Sequence, residues 1–227
     1  HTVDLDGFWI MDVPMTWADD CRLRGWSAPP DAAPDSWPEG SSRFTLAQHH
    51  KVRRQYCEDE GGGYATRPLV AVAWQDAEAL AAHLSTEAVQ YGLPTESQWE
   101  KAARGGRIGA RFPWGDGAPE PGWCDHDALH AFSIRDPRTT WRNGYGLYAM
   151  AGTVAEWTVT PYDALAYRGR PVSPEATERV LRGGSWADSL AGCTVSFRTS
   201  RASRSQLDEG WAPNLAPTLG YRLIRVD

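Results

Sequence analysis

The chain has 227 residues, above the commonest domain size but below the length at which cores divide, so one domain is expected. A formal charge of −6 and a pI near 5.5 give no electrostatic reason to approach phosphate backbones or anionic lipid, and no apolar run reaches bilayer-spanning length, which excludes nucleic acid and a membrane span. Gly and Pro together make 38 of 227 residues and Trp makes 12, a loop-rich globular composition with bulky aromatic anchors that excludes a coiled coil or fibre.

Four cysteines, at 21, 57, 124 and 193, show no C-x-x-C spacing, and such sparse use suits a reducing compartment better than a disulfide scaffold. Lys occurs only at 51 and 101 while Arg supplies the other 21 positive charges, a bias that points to a GC-rich bacterial genome.

The first element in chain order is a strand over 4–10, where Leu5 and the run Phe8-Trp9-Ile10 are broken by Gly7. Thr16 predicts a helix near 17–24, with Asp19 returning a bond to the Thr16 backbone N–H and Gly25 ending it. Pro29, Pro30, Pro34 and Pro38 make the stretch from Ser27 to Ser42 a long surface loop, followed by a charged excursion through 49–60. Pro68 to Trp74 reads as a strand feeding an Ala- and Leu-rich helix that runs to Leu84. Thr95 and Gln98 form a capping box for the next helix, Gly105 sits at its left-handed C-cap, and Glu100 and Arg104 pair along it. Beyond residue 110 turn residues dominate and the strands should be short.

Four segments carry a resemblance: Gly92 to Gly106 (GLPTESQWEKAARGG), Phe112 to Asp116 (FPWGD), Asn143 to Trp157 (NGYGLYAMAGTVAEW) and Arg179 to Trp186 (RVLRGGSW), followed by a closing Leu219-Gly220-Tyr221-Arg222-Leu223. In order and spacing they resemble the formylglycine-generating enzyme and sulfatase-modifying-factor family. The resemblance runs from about Val3 to the end and implies an irregular α+β, C-type-lectin-like fold with short strands, few helices and much loop. Because the family's usual first strand would precede His1, residues 1–227 are expected to be a single domain lacking an upstream N-terminal part. Within these blocks Gly183-Gly184 allows a close backbone approach, Trp157 and Trp186 offer large buried area, and Arg182 or Arg198 can anchor carbonyls with a rigid fork. All are read as scaffold.

The oxidase members of that family bind copper through two cysteines just after the Gly-Gly-Ser-aromatic block, since soft thiolates suit Cu(I). Here Asp188 stands about where the first would fall and only Cys193 supplies a thiol. The resemblance therefore implies no catalytic residue and no formylglycine-forming activity, and the separate helical domain of the sulfoxide-forming members has no counterpart. For calcium it offers Gly152, Val154 and Glu156, with Ala149 in place of a side-chain oxygen ligand; the expectation is no cofactor. Zinc or iron could be met by Cys124, Asp125, His126, Asp127 and His130, or by His49 and His50 with Cys57, at spacings unlike a finger.

A fold of this type without its enzymatic residues is a rigid frame carrying loops. The Arg-Gly-Gly-Ser-Trp block, the altered side chains after it and the Gly-aromatic-Arg close look most like the variable proteins of diversity-generating retroelements. That resemblance implies a non-catalytic recognition protein with a C-terminal, diversified surface of Ala187, Asp188, Ser189, Leu190, Phe197, Thr199, Ser200, Ser203 and Trp211. Phe197 and Trp211 would be its anchors. The partner is a protein or surface ligand of unread identity, met in the cytoplasm or at the cell surface through a preceding segment. Two other readings stay open: an oxidoreductase using Cys193 or the 124–130 cluster with another metal, and a structural module of a larger polypeptide.

Overall fold

A computed structural model describes residues 3–27, 63–126, 134–168, 176–203 and 217–227. The proline-rich loop, His49, His50, Cys57, residues 127–130 and Trp211 lie outside them. The first helix, α1 (Trp17–Leu23), opens as expected on Thr16, whose hydroxyl oxygen accepts from the Asp19 N–H at 3.1 Å. The return bond differs. Aspartate is one methylene shorter than the glutamate of a full box, and its carboxylate takes the Thr16 hydroxyl at 2.7 Å instead of the Thr16 N–H.

The expected strand over 4–10 shrinks to β1 (Trp9–Ile10), and residues 3–8 stay outside any ladder. The run from Pro68 to Trp74 is also not a strand. Leu69 to Ala73 are all at most 3% exposed, yet their backbone is satisfied piecemeal: Leu69 N–H donates to Met15 and the Val72 carbonyl accepts from the Trp157 indole. An apolar run records burial, and burial alone does not require a partner strand. The segment then enters α2 (Trp74–Leu84).

After β2 (Gln90–Gly92) comes α3 (Glu96–Arg104), with the complete Thr95/Gln98 capping box and Gly105 left-handed at its end, as the sequence predicts. The remaining strands are β3 (Ala155–Pro161), β4 (Glu178–Arg182), β5 (Thr199–Ala202), β6 (Leu219–Gly220) and β7 (Ile224–Val226). They form two sheets, ordered β1-β7-β2 and β5-β4-β3-β6, antiparallel throughout except for the β3–β6 pair. This is the irregular α+β architecture expected, with short strands and much loop.

The main core gathers Met15, Leu69, Leu80, Trp157, Leu181 and Tyr221 between α2 and the four-stranded sheet. Trp99 on α3 centres a second cluster with Met150 and Val195. The bulky aromatics thus fill the interior, as a chain with modest aliphatic content requires. Among the described residues no helix is long and apolar enough to cross a membrane.

Candidate functional site

β4 ends in Arg182, and the chain then turns through Gly183 and Gly184 into an arch that runs to β5. A Cβ on Gly184, whose φ is +67°, would lie 2.5 Å from the Gly192 carbonyl oxygen, so only glycine lets the two limbs of the arch meet. The arch is pinned from both sides. Fully buried Arg182 donates to the Val195 carbonyl at 2.8 Å and to that of Phe197, and also meets the Glu100 carboxylate. Arg198 grips both Glu96 carboxylate oxygens, at 2.5 and 2.8 Å, and the Asp163 carbonyl at 3.0 Å, with Tyr162 and Tyr167 against its guanidinium. Both arginines therefore hold carbonyls and carboxylates with their forks, the scaffold role read from the sequence.

Between those pins the chain presents its outer side. Ala187 and Ser189 are exposed, Asp188 and Leu190 half-buried, and Phe197 39% exposed. A Cβ placed on Gly192 would touch both Asp188 and the Phe197 ring, so these side chains form one continuous patch. Leu190 packs onto an aromatic wall that sequence reasoning missed, in which Phe112 and Trp114 are buried and Trp123 and Trp141 half-buried. Phe112 stacks on Trp114 at 4.9 Å, Trp114 meets Trp123 edge-on at 5.8 Å, and Trp123 lies 4.3 Å from Trp141. The signal was present in the density of tryptophans between 114 and 141, but only the fold brings them beside the arch.

The other described ligand candidates lie on or just after β5. Thr199 and Ser200 lie on β5, where Ser200 donates to Glu178 at 2.7 Å. Ser203 is only 7% exposed, and its hydroxyl donates to the Thr177 carbonyl.

The metal candidates resolve in the same way. Asp188 aims its carboxylate at the Ser185 N–H and hydroxyl, 2.8 and 2.6 Å away, where it closes the turn at the start of the arch. Cys193 is fully buried beneath it among Phe112, Cys124 and Ala151. One buried thiol and one carboxylate already committed to a turn do not fit a two-thiolate copper centre. Nor does Glu156 fit calcium. Both its oxygens receive the Arg222 guanidinium at 2.7 Å, and one also accepts from the Trp99 indole, so the countercharge an ion would supply is already in place. Of the 124–130 cluster, Cys124, Asp125 and His126 face inward, and Asp125 accepts from Arg135.

Burial pushes the Cys124 thiol up to about 12, with Asp125 adding to the shift. The thiolate is the reactive form, so iodoacetamide at pH 8 is expected to label Cys124 only after denaturation, read by peptide mass spectrometry. The unfolded chain releases this proton near 9.0 and the folded one near 12, so the native state holds the extra proton in that window and stability falls as pH rises through it. Buried Tyr221, raised by burial and by Asp20, acts in the same direction. The thermal midpoint should therefore decline between pH 9 and 11, and Cys124→Ala should flatten part of that decline; a flat profile would contradict the assignment.

Residues 1–225 match the family described as sulfatase-modifying factor enzyme 1-like domain. Among curated proteins the chain is 36% identical over 136 residues to the inactive C-alpha-formylglycine-generating enzyme 2 of Bos taurus, covering 55% of this chain and 40% of that one. It is 33% identical over 177 residues to the formylglycine-generating enzyme of Streptomyces coelicolor, covering 68% of this chain and 55% of that protein. The chain thus spans about half the length, or less, of these relatives. Among solved structures it is similar in fold to Treponema denticola variable protein 1, with TM-score 0.67 and 22% identity over 99% of this chain and 86% of that one. Sequence blocks, architecture and the match along nearly the whole chain agree, and the protein belongs to the sulfatase-modifying-factor, formylglycine-generating-enzyme family.

Proposed function

We propose that this chain is a non-catalytic recognition protein whose ligand rests on the outer side of the arch, against Ala187, Asp188, Ser189, Leu190 and Phe197, with half-buried Trp123 and Trp141 beside them. One observation carries the reading. The residues at the positions of the family's cysteine pair serve structure here: Asp188 closes the Ser185 turn and Cys193 fills the core beneath it. The similarity to a relative named as inactive and to a variable protein supports the same reading. The patch has the composition of a paratope, large aromatics flanked by small polar groups on a rigid frame.

The retroelement-diversified part of the proposal narrows to the side chains that share the patch. Sequencing the 3′ end of the gene across a clonal population should show variation at codons 187–190 and 197 with Arg182, Gly184 and Arg198 constant. Invariant codons with no near-copy downstream would remove diversification while leaving recognition intact. For the absence of catalysis, the test is metal content and oxygen consumption. Protein purified without chelators should carry only substoichiometric copper and iron and consume no oxygen with thiol or cysteine-peptide substrates. Adding Cu(I) or calcium should leave its thermal midpoint unchanged. Stoichiometric metal with oxygen uptake would overturn the proposal in favour of an oxidoreductase.

A further inference from the structure

Resting on that reading, we propose that the ligand is a protein segment rich in carboxylates, received by an arginine corner that continues the recognition patch. Lys101, Arg104, Arg107 and Arg111 occupy a stretch, 101–115, that contains no acidic residue, although the whole chain carries −6. Tertiary packing adds Arg142. A Cβ on Gly105 would lie 2.8 Å from the Gly144 backbone nitrogen, and Gly106 faces the Tyr145 ring at 3.6 Å, so the turn after α3 is pressed against the 142–146 loop.

Arg104 braces that turn from within through the Ala110 carbonyl and its Glu100 pair. Arg107, Arg111 and Arg142 are exposed and make no ion pair among the described residues. The corner joins the recognition patch directly. The Arg111 carbonyl accepts from Val195 N–H at 3.0 Å, and its guanidinium sits 5.3 Å over the Phe112 ring, the first member of the aromatic wall. The carboxylates that flank this stretch in sequence are occupied, Glu100 by Arg104 and Arg182 and Asp116 by the Arg111 backbone N–H.

Charge complementarity selects a negative ligand, and composition selects a protein over a membrane. Arginine, tryptophan and tyrosine are the side chains enriched at protein–protein hot spots, lysine is depleted there, and here lysine contributes only Lys101. A guanidinium fork pairs with carboxylates in two parallel hydrogen bonds, and stacking on Phe112 holds Arg111 ready to do so. Fully exposed Ile108 and half-exposed Tyr145 supply apolar contacts between the charges.

The probe is a fluorescein-labelled twelve-residue peptide in which Asp and Glu alternate with Leu, compared with its Asn/Gln counterpart, by fluorescence anisotropy on the full chain. The acidic peptide should bind at least about tenfold more tightly than the amide one. It should weaken by about tenfold from 50 to 250 mM salt, since exposed charges are screened at that ionic strength. Reversal of Arg107, Arg111 and Arg142 to Glu should abolish its binding and confer preference for a Lys-bearing version. These side chains are exposed, so the thermal midpoint should stay within about 2 °C of the parent. Equal binding of acidic and amide peptides, indifference to the charge reversal, or binding to phosphatidylserine vesicles but not to the acidic peptide would each overturn the inference. Leu190→Gln and Phe197→Ser separate the two claims. If both peptides bind equally and these variants weaken them, recognition at the arch stands and the acidic ligand falls. If the acidic peptide obeys charge reversal but ignores these variants, the arginine corner stands and the arch is removed.

Discussion

Replacing Arg222 by alanine is expected to lower the unfolding free energy by about 3–5 kcal/mol, because the change strands a buried charge. Arg222 and Glu156 are both fully buried, and their two 2.7 Å hydrogen bonds are joined by the Trp99 indole on the same carboxylate. Arg222 also donates to the carbonyls of Met11, at 3.0 Å, and Tyr148, at 3.1 Å, so it ties the segment after β6 to the β1 end and to the 143–152 loop. Truncation leaves a carboxylate without countercharge and two carbonyls without one donor, and the thermal midpoint of a chain this size should fall by about 10 °C. Glu156→Gln keeps the shape and should cost less than Arg222→Ala, and Glu156→Gln with Arg222→Met should cost less than the sum of the single changes. Additive losses in chemical denaturation would show that the pair is not coupled, and a midpoint raised by calcium would show that Glu156 is available to an ion after all.

Arg182→Ala should cost a similar amount, about 3–5 kcal/mol, and should also loosen the arch between β4 and β5. Its guanidinium is fully buried between the Glu100 carboxylate and the carbonyls of Val195 and Phe197, with Glu96 at 3.7 Å. The backbone that carries the exposed Phe197 ring is tied by its carbonyl to Arg182 and by its N–H to the Thr194 carbonyl, and the substitution removes the first of these. The expected signature is therefore double: a lower denaturation midpoint and faster amide exchange at 194–198. Arg182→Lys keeps the charge but not the fork, so it should recover part of the stability and little of the exchange protection. Exchange that is unchanged at 194–198 in a destabilised variant would show that Arg182 supports the core without ordering the arch.

The capping box at Thr95, the left-handed Gly105 and the close approach at Gly184 were legible in the sequence because each depends on residue types within a few positions of one another. So was the scaffold character of Arg182, Arg198, Trp157 and Trp186, all of which bond backbone carbonyls. The strand expected at 68–74 was not, since its apolar run reports burial while its hydrogen-bond partners come from Met15 and Trp157, far away in the chain. Thr199, Ser200 and Ser203 could not be told from Ala187 to Leu190 by composition. Only the pairing of β5 with β4 decides which small polar side chains face inward or along the sheet edge.

By itself, then, the amino-acid order determined the family, the architecture class and the loss of the paired thiols, because motifs and missing residue types are local properties of a chain. The tertiary structure alone decided that Asp188 closes a turn, that Glu156 belongs to Arg222, and that three tryptophans and the basic stretch after α3 meet beside the arch. Those facts depend on contacts between segments tens of residues apart, whose positions are set by the packing of Trp99 and Trp157 in the core and not by any neighbour in sequence.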